Sequence, residues 1–154
     1  SHILEIGTAN GYSTLQFATI LDYPAILPPY YPTITTIEYA WNAHIEAVEH
    51  FKNCKIKNIH AIWWDAKEVI PTLLDEYFDF IFIDAMKREY LAYVQRILPK
   101  CTPDALIVID DVEKFREKMG DLYDWLEEKK IPYTLEKTDE DDSIMIINRS
   151  NIHE

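Results

Sequence analysis

The chain has 154 residues, 48% of them hydrophobic and 13% aromatic, with 3 glycines and a formal net charge of −12. That is enough apolar material for one domain with its own core, and the composition excludes a disordered or low-complexity chain. So acidic a surface repels a phosphate backbone and disfavours an obligate nucleic-acid partner, and no apolar run reaches the roughly 18 residues that a membrane-spanning helix needs.

In chain order, "HILEI" (2–6) predicts a strand and "YSTLQFATIL" (12–21) the helix after it. Residues 22–33 hold four prolines and predict a loop, with Tyr30 and Tyr31 as candidates for a substrate lid. "ITTIE" (34–38) is a second strand, and the spacing of Trp41, Ile45, Val48 and Phe51 predicts a helix behind it. "IHAIWW" (59–64) is a third strand. "FDFIFID" (78–84) is a fourth, almost continuously apolar, as in a sheet covered on both faces. Tyr90, Val94 and Ile97 mark a helix, "ALIVID" (105–110) a fifth strand, and Phe115, Met119, Leu122 and Leu126 another helix. The runs "IPYTLEK" and "SIMIIN", joined by the acidic "TDEDD" (138–142), predict a closing hairpin with a solvated turn. The alternation implies an α/β class: a Rossmann-like, mostly parallel seven-stranded sheet with helices on both faces and an antiparallel C-terminal hairpin.

In such a sheet, ligands bind at the carboxyl ends of the strands. Those ends carry Glu5 with its glycine turn, Glu38, Asp65, Asp84, and the pair Asp110 and Asp111. A single acid there reads best as a helix cap, but five strands in a row read as a binding site. The turn "GTANGY" fails the dinucleotide fingerprint, because Ala9 and Tyr12 stand where it needs glycine. Glu5 is unsuited to a pyrophosphate and suited to an ammonium group, while Gly7 and Gly11 let the backbone come close to a ligand. Glu38 is placed for two ribose hydroxyls, and Asp65 and Ala66 for an adenine. A cationic amino acid, a ribose and an adenine together describe S-adenosylmethionine.

"LEIGTANGYST", "TTIEYAWNA", "FIFIDAMKREY" and "IVIDDVEKF" occur in that order at those strand ends. With them the sequence resembles the class I S-adenosylmethionine-dependent methyltransferases, and more narrowly the metal-dependent catechol and caffeoyl-CoA type O-methyltransferases. The resemblance is firm over residues 2–115. It implies cofactor contacts from Glu5, Gly7, Thr8, Ala9, Tyr12, Ser13, Glu38, Tyr39, Asp65, Ala66 and Asp84. It implies a divalent ion on Asp84, Asp110 and Asp111, and Lys87 as the catalytic base. The residues themselves point the same way: like charges so close need a cation or a proton, and an all-oxygen set suits Mg²⁺, or Ca²⁺, better than zinc. Asp111 stands where the family usually has Asn, and its structural alternative is to cap a helix starting near Val112. Near a divalent ion, Lys87 is expected to have a lowered pKa.

The expectation is a cytoplasmic O-methyltransferase acting on a small, hydroxylated, catechol-like acceptor, with no membrane partner and a homodimer left open. Cys54 and Cys101, lacking metal-ligand spacing, are expected as free thiols in a reducing compartment. The chain is expected to be a single methyltransferase domain over 1–154 without the helices that the family places ahead of its first strand. Two alternatives stand beside it: a methyltransferase for the wobble-uridine hydroxyl of tRNA, against which the net charge counts, and a non-catalytic nucleoside-binding or partner domain. Trp63 and Trp64 are expected to pack, although Trp64 replaces a glycine common in the family and can narrow the adenine pocket. His44 and His50 are expected in solvated or capping roles.

Overall fold

Five apolar runs become the parallel part of one sheet: β1 (His2–Ile6), β2 (Thr33–Glu38), β3 (Ile59–Trp63), β4 (Phe78–Ile83) and β5 (Cys101–Ile109). The structure, a computed structural model, describes residues 1–21 and 33–152. The candidate lid residues Tyr30 and Tyr31 therefore lie outside the described residues. The acidic hairpin supplies β6 (Thr134–Asp139) and β7 (Asp142–Asn148), which pair antiparallel with each other, β7 also running antiparallel to β5. The strand order is β3-β2-β1-β4-β5-β7-β6. Sequence order reverses between β1 and β4, so the carboxyl ends of those two neighbours open a crevice.

Period-2 alternation sorts the β1 side chains between two cores. Leu4 and Ile6 face the larger one with Ile37, Ile81, Ile83 and Ile107, and Ile3 faces a smaller one with Ile34 and Ala18. Full burial of one such leucine or isoleucine contributes about 1.5–3 kcal/mol. The smaller core is roofed by α1 (Tyr12–Leu21), where Phe17 packs edge-on to Phe80 and Phe82 at 5.6 and 5.4 Å. α2 (Trp41–Asn53) follows β2, the short α3 (Ala66–Val69) follows β3, and α4 (Tyr90–Ile97) follows β4.

The region after β5 departs from expectation. α5 spans Gly120–Glu128, so Phe115 and Met119 precede it instead of opening it. Residues 113 and 114 are held by Asp142, whose carboxylate accepts the backbone N–H groups of Glu113 and Lys114 at 3.3 and 3.2 Å. Asp142 is 6% exposed, so one residue of the supposedly solvated turn is a buried clamp. Asp111 is not a helix cap: its φ of +59° lies in the left-handed region, whereas an N-cap is extended. β5 also begins earlier than "ALIVID" suggests, at Cys101, across a register shift opposite Phe78 and Phe80.

Candidate active site

The backbone ladder continues beyond the strands and fixes the floor of the crevice. Gly7 donates its N–H to the Ile37 carbonyl, Asp84 to that of Ile6, and Asp110 to that of Ile83, each at 2.9 Å. Gly7 has a φ of +100°, and its neighbourhood has no room for a side chain. Gly11 (φ +86°) is pressed against the ring of Phe51, where an added Cβ would lie 2.6 Å from the ring edge. Above this floor lies a cleft of about 590 Å³, of a size to take a nucleoside-containing ligand.

Seven of the expected cofactor residues line it: Gly7, Ala9, Glu38, Tyr39, Asp65, Ala66 and Asp84. Glu38 is held in place by two backbone groups. Its Oε2 accepts the N–H of Ala9 at 2.9 Å and its Oε1 that of Ala40 at 2.8 Å. A carboxylate has about four acceptor sites, so both oxygens keep capacity for hydroxyls. Asp65 caps α3, accepting the Lys67 N–H at 2.8 Å, and lines the cleft as well; the capping and binding readings hold together.

The other four do not line it. Glu5 is fully buried inside β1, and its oxygens accept hydroxyls from Ser13, Thr14 and Thr36, each at 2.5 Å. It clamps α1 to the sheet and offers no face to a ligand's ammonium group. Burial pushes its pKa up, partly offset by those three hydroxyls, and the charge of Asp84 pushes the same way as burial. Ser13 is thus turned to Glu5. Thr8, also buried, pairs with Thr36 at 2.6 Å, and Tyr12 is 70% exposed and is not one of the residues lining the cleft.

Asp84 and Asp111 converge, but on a lysine. The Lys87 Nζ lies 2.7 Å from Asp84 Oδ1, 2.7 Å from Asp111 Oδ2 and 2.8 Å from the Tyr90 hydroxyl. Burial works to lower the Lys87 pKa, but the hydrogen bonds to Asp111, Asp84 and Tyr90 together hold it above the ordinary lysine value. These hydrogen bonds favour the charged ammonium, the direction opposite to the lowering expected beside a divalent ion. An ammonium held this way has no lone pair to accept a proton. Asp110 accepts the Asp111 N–H at 2.8 Å; burial raises its pKa, opposed by that hydrogen bond. Among the described residues no group of three His, Cys, Asp or Glu side chains could hold a metal ion. The donor set as arranged therefore does not fit a divalent ion.

Sequence reasoning missed part of the cleft wall. Met86, Glu89 and Tyr93 line it, with Glu89 paired to Lys67 at 2.5 Å and accepting the Tyr93 hydroxyl at 2.6 Å. The i, i+4 spacing of Glu89 and Tyr93 at the start of α4 was the available signal. The tryptophans do more than pack. Trp64 is 55% exposed and lines the cleft, while Trp63, also exposed, donates its indole N–H to the Tyr39 carbonyl at 3.0 Å and packs edge-on to Trp41. His50 Nδ1 meets the Asn10 carbonyl oxygen at 2.8 Å, tying α2 to the glycine turn. His44 stacks on Trp41, and its Nδ1 is buried without a hydrogen-bond partner among the described residues.

The methyltransferase domain family matches residues 4–112. The chain is 30% identical over 111 residues to a catechol O-methyltransferase of Mycobacterium tuberculosis, covering 71% of this chain and 47% of that protein. It is 33% identical over 115 residues to one of Niastella koreensis, covering 72% and 49%. It thus spans about half the length of the curated relatives it matches. Among solved structures, a Podospora anserina methyltransferase bound to S-adenosylhomocysteine superposes with a TM-score of 0.81 at 24% identity, covering 96% of this chain and 71% of that one. A Bacillus cereus O-methyltransferase in complex with S-adenosylhomocysteine gives 0.78 at 24%, covering 96% and 73%. At such identities the structural likeness is one of fold; the sequence match, taken with the crevice at the β1–β4 reversal, shows that the chain belongs to the methyltransferase domain family, on the class I S-adenosylmethionine-dependent fold.

Proposed function

We propose that this chain binds S-adenosylmethionine in the cleft at the ends of β1, β2 and β4 and transfers its methyl group to a hydroxyl of a small, catechol-like acceptor. One observation carries the reading: Glu38, braced by the Ala9 and Ala40 N–H groups, faces the same cleft as the glycine turn and Asp65. This arrangement supports a reading in which Glu38 accepts the two ribose hydroxyls, the turn gives close backbone access and Asp65 takes an adenine amino group. The catechol O-methyltransferase relatives support the acceptor class. The homodimer, and the single domain over 1–154, remain parts of this proposal. So does a cytoplasmic setting, which the free thiols of Cys54 and Cys101 favour.

In the step itself, the acceptor oxygen forms its bond to the methyl carbon while the carbon–sulfur bond breaks and the sulfur keeps the electron pair. The hydroxyl proton leaves to a carboxylate of the strand-end set. Lys87 keeps its catalytic place as a fixed cation beside the developing oxyanion, not as the proton acceptor. Alignment of the reacting atoms can itself be worth about 7–11 kcal/mol, so no covalent intermediate is needed. Divalent assistance from Asp84, Asp110 and Asp111 is what the family resemblance implies, but their arrangement around Lys87 gives it no support, and no step is routed through an ion.

Isothermal titration of the folded chain with S-adenosylhomocysteine tests the reading. One equivalent should bind, and Glu38→Ala should weaken it; absence of binding to a chain with an intact circular-dichroism spectrum overturns it.

A further inference from the structure

The ammonium of Lys87 has three N–H bonds and three acceptors: Asp84, Asp111 and the Tyr90 hydroxyl. Its side chain is 15% exposed and lies between the rings of Tyr90 and Phe115, 5.2 and 5.8 Å from their centroids. Two of the three carboxylates that would hold an ion are therefore already joined by a cation. Asp111 matters here because an asparagine would supply a neutral oxygen, whereas the aspartate adds a charge that Lys87 answers. Mg²⁺ demands near-octahedral oxygen ligation with little tolerance. Asp84 and Asp111 each commit one oxygen to the ammonium instead.

We propose that Lys87 is the resident cation of this site, bridging Asp84 and Asp111 in place of a divalent metal, so that the chain works without one. The inference rests on the methyl-transfer reading for its chemistry, but its core, the absence of a divalent site, is tested without that reading. The positive charge that draws the acceptor oxygen is then built into the chain. Its position is set by the 3₁₀ turn Lys87–Glu89 and by Tyr90 at the head of α4.

The test is an electron paramagnetic resonance titration of the wild-type chain with Mn²⁺, followed by the same titration of Asp84→Asn. The wild type should leave the Mn²⁺ signal that of the free ion at one equivalent. Lys87→Met should bind Mn²⁺ about tenfold or more tightly than the wild type, because the Asp84 and Asp111 carboxylates are then freed from the ammonium. A wild-type chain that takes up one equivalent of Mn²⁺ and loses it in Asp84→Asn overturns the proposal. So does catechol methylation by the wild type that EDTA abolishes and Mg²⁺ restores. Binding of S-adenosylhomocysteine in EDTA is measured alongside: its loss would count against the methyl-transfer reading, while the Mn²⁺ titration still decides the cation.

Discussion

Gly7 stands so close to Asp84 that a Cβ added to it would lie 1.9 Å from the Asp84 carbonyl oxygen. The turn after β1 and the end of β4 are thus in backbone contact across the sheet's reversal point, and the same contact shapes the cleft floor. Gly7→Ala meets two penalties, a backbone clash and a φ of +100° that side chains resist. The expected loss is about 2–4 kcal/mol of unfolding free energy, read by urea denaturation, together with loss of S-adenosylhomocysteine binding. A stability within about 0.5 kcal/mol of wild type would show that the turn can be rebuilt without glycine.

Glu38→Ala removes the anchor shared by Ala9 and Ala40 as well as the acceptors offered to a ribose. Each charge-assisted hydrogen bond contributes about 1.5–3 kcal/mol, so affinity for S-adenosylhomocysteine should fall at least about tenfold in a calorimetric titration. Glu38→Gln should retain part of it, since one carbonyl oxygen remains. Equal affinities for all three proteins would remove Glu38 from the site.

Glu5 gives a pH dependence whose sign is fixed by burial. Its folded-state pKa is raised above the ordinary glutamate value, so the folded chain holds this proton to higher pH than the unfolded chain. The contribution to stability is complete below the unfolded value of 4.5 and is lost as pH rises through the folded value. Glu5→Gln cannot ionise and should lack that loss. Unfolding free energies of both proteins, measured from pH 4.5 upward, should diverge, the variant gaining on the wild type as pH increases. Parallel curves would mean that the three hydroxyls hold the buried carboxylate as an anion at no cost in pKa.

The strands and their order were legible because apolar period and strand-end acids are local properties of the chain. Glu38, Asp65, Asp84 and Asp110 stand at or just past strand ends as their positions predicted. What could not be read was which way a carboxylate points. Glu5 sits within β1, and only the hydroxyls of Thr14 and Thr36, brought in from α1 and β2, decide that it is a clamp. Likewise Lys87 and Asp111, 24 positions apart, meet only because β4 and β5 are neighbours. Asp142 was hidden in an acidic run whose average character is solvated, while its own partners lie about 30 positions back, at Glu113 and Lys114.

Trp64 separates a binding role from a packing role. It is 55% exposed and lines the cleft beside Asp65, so its removal should scarcely affect the core. Trp64→Ala is expected to change unfolding free energy by no more than about 0.5 kcal/mol. If the indole rests against the adenine, the lost ring–ring contact is worth about 0.5–1.5 kcal/mol, a two- to roughly tenfold fall in S-adenosylhomocysteine affinity. A glycine here should weaken binding similarly, whereas Trp64→Phe should keep most of it. Tighter binding in Trp64→Gly would instead show that the tryptophan crowds the pocket and that the adenine does not rest on the indole.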